Sequence, residues 1–235
     1  MKLQLPHSFP LSSGALSVVL ACLGSHAALA QNGGLAGLYA AQPPAGSSYV
    51  RLVNATGAPL KVTVGAAAVP VPQAGVNSLA SNYRVMDPLK PPAITVNGQP
   101  VVEAVKLVPN GFSTLVISMK GSDAVVQSQV DNPEGQNALK AVLRAYNLVP
   151  QCALTVAVVG GPAVFDRIRL GENRARAINP SKATLVARCD QSESAPLALP
   201  SLSAGDKYSL FVTGDATKPQ LVGQMDLTEP YGDKP

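Results

Sequence analysis

Val50-Arg51-Leu52-Val53-Asn54, followed by Val62-Thr63-Val64, is the stretch on which the fold turns. Apolar side chains recur with a period near two, β-branched residues dominate, and Asn and Gly bound the runs, which is the pattern of short strands. The arrangement returns as Leu143-Arg144-Ala145-Tyr146-Asn147 and Leu154-Thr155-Val156, at offsets of 93 and then 92. Met86-Asp87-Pro88 matches Ile178-Asn179-Pro180 at 92, and Ser113–Ser118 matches Tyr208–Thr213 at 95. Four matches in order at nearly constant spacing point to a duplicated unit of about 90 residues. Short, turn-punctuated strands in units of that size predict an all-β chain of two tandem, similar β-sandwich domains.

Working outward, Asn97-Gly98 lies between two apolar runs and reads as a tight hairpin turn, because both residues tolerate positive φ. Asp131, Asn132, Pro133 and Gly135 interrupt the strand pattern between the units. The expected organisation is a signal peptide over 1–30, an N-terminal segment over 31–46, one sandwich over 47–130, a second over 138–225 and a C-terminal tail over 226–235. Gln136–Tyr146 has a fair helical pattern, yet its end matches the strand at 50–54.

The 235 residues are 46% hydrophobic and 14% charged, which suits a buried core and excludes a disordered chain. A formal charge of +4 is mild, and nucleic acid is not an expected partner. Lys2 precedes the apolar run Ala15–Leu23, and Ala28-Leu29-Ala30 supplies a small-x-small cleavage pattern, so export with removal of residues 1–30 is expected. Val19-Leu20-Ala21-Cys22 is a weaker lipoprotein box, since Leu20 fits poorly before Ala21.

Both histidines, His7 and His26, precede Gln31. Residues 31–235 therefore offer no Ser-His-Asp triad, no Cys-His dyad and no imidazole for zinc. Asp131-Asn132-Pro133-Glu134-Gly135 lacks the alternating acids of a calcium loop and reads as an inter-domain turn. No metal or cofactor is expected, and the scattered acidic residues single out no carboxylate pair for glycoside hydrolysis. Cys152 and Cys189 remain as a pair in an oxidising compartment and predict a structural disulfide within the second unit. Closing that loop contributes about 4 kcal/mol by the chain-entropy relation, less any native strain.

Arg167, Arg169, Arg174, Arg176, Lys182 and Arg188 gather six positive charges around Glu172. Guanidinium forks there suit carboxylates of a polyuronate or of a partner, with the segment Arg174 to Asn179 foremost. The competing reading is a solvated strand face carrying Arg167 and Arg169 outward. Leu38 and Tyr39, ahead of the first clear strand, form a second candidate partner surface. Arg51 and Arg144 occupy equivalent places, which points to a structural role such as pairing with a neighbouring carboxylate. Without tryptophan, sugar stacking would fall to Tyr49, Tyr83 or Tyr231.

Gly37-Leu38-Tyr39, Pro43–Asn54, Arg174–Pro180 and Gly205–Gly214 together resemble the AlgF family of periplasmic alginate O-acetylation proteins, over most of Leu38 to Gly214. The resemblance implies a periplasmic, non-catalytic adaptor. Its partners would be a membrane-bound O-acyltransferase and an SGNH-type acetyltransferase, and its polymer an anionic exopolysaccharide such as alginate, or a related one such as cellulose. The Cys152–Cys189 pair and the proline-rich stretch from Ser81 to Pro92 depart from the family pattern. The alternatives are a polysaccharide-binding module and an acetyltransferase or esterase with an atypical Ser-Asp site.

Overall fold

The computed structural model describes residues 43–69, 71, 79–91, 93–102, 105–131 and 139–232. Leu38, Tyr39 and the export segment lie outside the described residues. Residues 40–235 form one compact unit. The first half supplies β1 (Ser48–Asn54), β2 (Val62–Val64), β3 (Ala67–Val69), β4 (Arg84–Met86), β5 (Ile94–Val96), β6 (Gln99–Pro100), β7 (Phe112–Lys120) and β8 (Asp123–Val130). The second supplies β9 (Ala141–Asn147), β10 (Leu154–Val158), β11 (Ala163–Ile168), β12 (Asn173–Ile178), β13 (Thr184–Cys189), β14 (Ser192–Glu193), β15 (Leu197–Ala198), β16 (Lys207–Asp215) and β17 (Lys218–Met225). No helix occurs among the described residues.

The duplication predicted from the sequence is reproduced in the order and pairing of the strands, with one short strand, β15, added in the second half. One sheet runs β4-β1-β7-β8 and its counterpart β12-β9-β16-β17, each with a parallel central pair. Val50 faces Ser113 as Leu143 faces Tyr208, and Ser48 faces Met86 as Ala141 faces Ile178. The other two sheets run β3-β2-β5-β6 and β11-β10-β13-β14, with β15 added beside β13.

Alternation along the strands builds the layers. Val50 and Leu52 of β1 pack on Val62, Ile94 and Val96, while Leu143 and Ala145 of β9 pack on Leu154, Val156 and Leu185. These contacts make two sandwiches. The opposite faces of β1 and β9 carry Arg51 and Val53, and Arg144 and Tyr146. There a third cluster of Val53, Leu79, Ala80, Val116, Tyr146 and Phe211 joins the halves. The two inner sheets are thus covered on both sides, which explains why β1 and β9 are buried almost without interruption.

Local chemistry explains the strand ends. Asn54 Oδ1 accepts from Thr56 N at 3.0 Å, and Asn147 Oδ1 accepts from Val149 N at 2.9 Å, so each motif closes in the same side-chain turn. Asn97 and Gly98 have φ of 51° and 83° and join β5 to β6 as the expected hairpin. The helical pattern noted up to Tyr146 gives way to β9, because its β16 and β12 neighbours satisfy its backbone. Cys152 and Cys189 are bonded, with Cα atoms 5.2 Å apart, and tie the approach to β10 to the end of β13 within one sheet. The segment after β17 returns to the first half. Tyr83 N donates to Leu227 O, Glu229 N donates to Tyr83 O, each at 2.8 Å, and Arg84 pairs with Glu229 at 2.8 Å.

Candidate functional site

Two polar features arise where the halves meet. The first is buried. Arg51 on β1 is 1% exposed and makes four side-chain hydrogen bonds. Nη1 donates to Asp226 Oδ1 at 2.7 Å, Nε to Thr114 Oγ1 at 2.9 Å, and Nη2 to Tyr146 Oη and Ser209 Oγ at 2.8 Å each. Its guanidinium carbon lies 4.5 Å from the Tyr83 ring centre. Asp131 receives the hydroxyls of Tyr83 (2.7 Å), Thr114 (2.6 Å) and Tyr146 (2.6 Å). Burial works against the Arg51 charge, but Tyr146, Asp226, Tyr83 and Asp131 outweigh it and raise its pKa further above the ordinary guanidinium value. Burial also raises both tyrosines, against the pull of Arg51, so the phenols stay protonated donors.

This network answers the question the repeat posed about Arg51: its carboxylate is Asp226, on the other half. Arg144, the equivalent of Arg51, donates to Asn173 Oδ1 at 2.9 Å. Tyr83, at 3% exposure, is corrected from a sugar platform to a core ring, whose hydroxyl is spent on Asp131. Tyr49 is half-buried and stacked on Phe112 at 4.7 Å, while Tyr231 stays exposed. Beside the network, a cleft of about 270 Å³ is lined by Phe112, Asp131, Arg144, Lys207 and Asp226 among others. Its carboxylates are already engaged.

The second feature is an open groove of about 690 Å³ between β8 of the first half and β11 and β12 of the second. Of the arginines singled out from sequence, Arg174 and Arg176 line it. Alternation along β12 puts both on one side, and each is exposed. Arg174 Nη1 donates to Asp166 O at 2.8 Å and Arg176 Nη1 to Val164 O at 3.2 Å, which pins each side chain across β11. Neither forms an ion pair among the described residues. Arg167 sits at φ 51° beside a register shift in β11 and lies 3.7 Å from Asp166 in an exposed pair. Arg169 is exposed in the turn after β11, and Asn179 and Lys182 are exposed beyond the end of β12, away from the groove. Arg188 pairs with Glu193 at 2.7 Å.

Sequence reasoning missed Gln129, 5% exposed on the groove wall, because an isolated glutamine in a strand carries no motif. The repeat was the signal that would have found it, since Gln129 and Gln224 are related by the offset of 95 that relates β7 to β16.

Residues 17–209 match the family described as Alginate O-acetyl transferase AlgF. The alginate biosynthesis protein AlgF of Pseudomonas putida is 30% identical over 179 residues, covering 76% of this chain and 79% of the relative. The protein of that name from Pseudomonas aeruginosa is 28% identical over 216 residues, 90% and 91% of the two chains, and that from Azotobacter vinelandii 29% over 196 residues, 83% and 86%. The strand pattern, its duplication and this match over most of the chain place the protein in the AlgF family.

Proposed function

We propose that this protein is a non-catalytic accessory component of an exopolysaccharide O-acetylation machinery, bridging acetyltransferase partners in the periplasm. Membership of the AlgF family carries the reading. The polymer is alginate or a chemically related exopolysaccharide, and the partners are a membrane-bound O-acyltransferase and an SGNH-type acetyltransferase.

The chemistry available in the chain supports the non-catalytic part. Residues 31–235 contain no histidine. Ser209 Oγ, buried at the junction, accepts from Arg51 and has a cation beside it instead of a base. Asp131 and Asp226 accept hydrogen bonds that hold the halves together. The Ala28-Leu29-Ala30 pattern and the Cys152–Cys189 bond both suit an exported protein.

Deleting the coding sequence in a polymer-producing host and measuring ester-linked acetyl per sugar tests the reading. Acetylation should fall to background and return with the intact gene, whereas unchanged acetyl content would sink it. The purified protein should leave a chromogenic acetyl ester intact, and turnover would overturn the non-catalytic assignment.

A further inference from the structure

Gln224 shows how this fold holds an extended stretch of chain. Its Oε1 accepts from Leu79 N and from Ala80 N, at 2.9 Å each, and its Nε2 donates to Ala80 O at 3.3 Å. One side-chain amide thus serves as a short piece of β-ladder for a backbone passing over the inner sheet. Gln129 is its counterpart by pairing as well as by sequence: Gln129 faces Thr114 across β8 and β7 as Gln224 faces Ser209 across β17 and β16.

Gln129 holds no backbone. Among the described residues its Nε2 is buried without a hydrogen-bond partner, and its Oε1 meets only Asn173 Nδ2 at 3.5 Å. Chain length accounts for the difference. Between β3 and β4 there is enough chain to bring Leu79 and Ala80 onto Gln224, whereas β11 and β12 are joined by the short turn Arg169–Glu172, closed by Glu172 N on Arg169 O at 3.0 Å. A buried unpaired amide is costly, and this one lies in the wall of the open groove.

We propose that the groove between β8 and β12 receives an extended, acidic polypeptide segment of a partner protein, its backbone held by Gln129 as Gln224 holds Leu79–Ala80, and its carboxylates held by Arg174 and Arg176. Two observations favour a polypeptide over a sugar polymer. The carboxamide presents a donor and an acceptor side by side, the complement of a peptide backbone. Arg174 and Arg176 are two strand positions apart, roughly 6.6 Å, which is the spacing of same-side residues in an extended peptide. Their anchorage on Asp166 O and Val164 O holds the remaining guanidinium donors in place before a ligand arrives. The proposal rests on the accessory reading, for which it names a docking surface.

The test titrates the purified protein at low salt with a capped decapeptide of alternating Glu and Val, the same peptide methylated on its backbone nitrogens, and a uronic-acid oligomer of equal charge. The plain peptide should bind. Arg174→Ala with Arg176→Ala should weaken it about tenfold or more, the scale of losing charge-assisted bonds. Gln129→Leu should weaken it severalfold, and methylation should add little on that background. No binding of the plain peptide overturns the proposal. So does equal binding of the methylated peptide to the unmodified protein, a result that needs no Gln129 variant to fold. Equal or tighter binding of the uronic-acid oligomer, lost with the same arginines, would make the groove a carbohydrate site instead. The arginine variant in the host separates the two readings. If deletion abolishes acetylation but the arginine variant restores it fully, the groove assignment fails alone; if deletion changes nothing while the peptide binds, the accessory role fails alone.

Discussion

β1 pairs with β7 in the register in which β9 pairs with β16, yet the sheets that cover these pairs are unequal. In the first half β2, β3 and β5 have three residues each and β6 has two, while β10, β11 and β13 of the second have five, six and six. The inner strands meet a neighbouring sheet on both faces, so nearly every side chain is constrained and the two copies have kept one register. The outer sheets meet a core on one face only. Both copies carry prolines there, at 70, 72, 91, 92 and 100 in the first and at 150, 162, 180, 196 and 200 in the second, and a proline cannot donate to a ladder. The second adds the Cys152–Cys189 bond. A repeat diverges where its neighbours leave it free to.

The largest expected effect strikes what the copies share. Arg51→Ala should cost about 3–5 kcal/mol in urea unfolding, since it leaves Asp226 and the phenols without their cation. Arg51→Met with Asp226→Leu should recover most of that loss, because no charge is then orphaned. If the double variant is as unstable as the single one, packing and not charge holds the junction. Removing the disulfide with Cys152→Ala and Cys189→Ala should cost about 2–4 kcal/mol. Hydrogen exchange will show whether the first half opens with the second: equal loss of protection at Ile94 and Leu185 means one cooperative unit, and loss at Leu185 alone means two.

Next comes the glutamine pair. Gln224→Leu should cost about 1–3 kcal/mol by stranding Leu79 N and Ala80 N. Gln129→Leu should be near neutral, because the amide it removes has an unpaired donor. Equal costs would mean that Gln129 is already satisfied and would undo the contrast between the two crevices. The tyrosines give a smaller, pH-dependent effect. Their folded pKa values lie above the unfolded value near 10, so above that pH the unfolded chain releases protons first. Stability should hold below about pH 10 and fall as pH rises through the folded values, by up to about 1.4 kcal/mol per pH unit for each tyrosine. Tyr83→Phe or Tyr146→Phe should flatten that decline. Smallest of all, Arg174→Ala with Arg176→Ala should change unfolding free energy by no more than about 0.5 kcal/mol per site, as both are exposed.

Much of this was legible in the chain itself. The strands of Tyr49–Asn54 and Tyr208–Thr213, the Asn97-Gly98 turn and the cysteine pair all depend on local alternation, on φ preference or on there being only two cysteines after residue 30. Two of the arginines chosen from the basic segment do line the groove. Tyr83 was misjudged, because aromatic rings in a sandwich stack on sugars or on core with the same sequence signature. Arg51 was recognised as structural, but a carboxylate 175 residues away could not be named.

Side-chain period and the internal repeat were thus enough for fold class and duplication, since each is written within a strand or by comparing one strand with its copy, and the disulfide followed from the cysteine count. Which outer face of β1 meets which face of β9 was decided only by packing the two copies together. That single choice made Asp226 the partner of Arg51 and buried Tyr83.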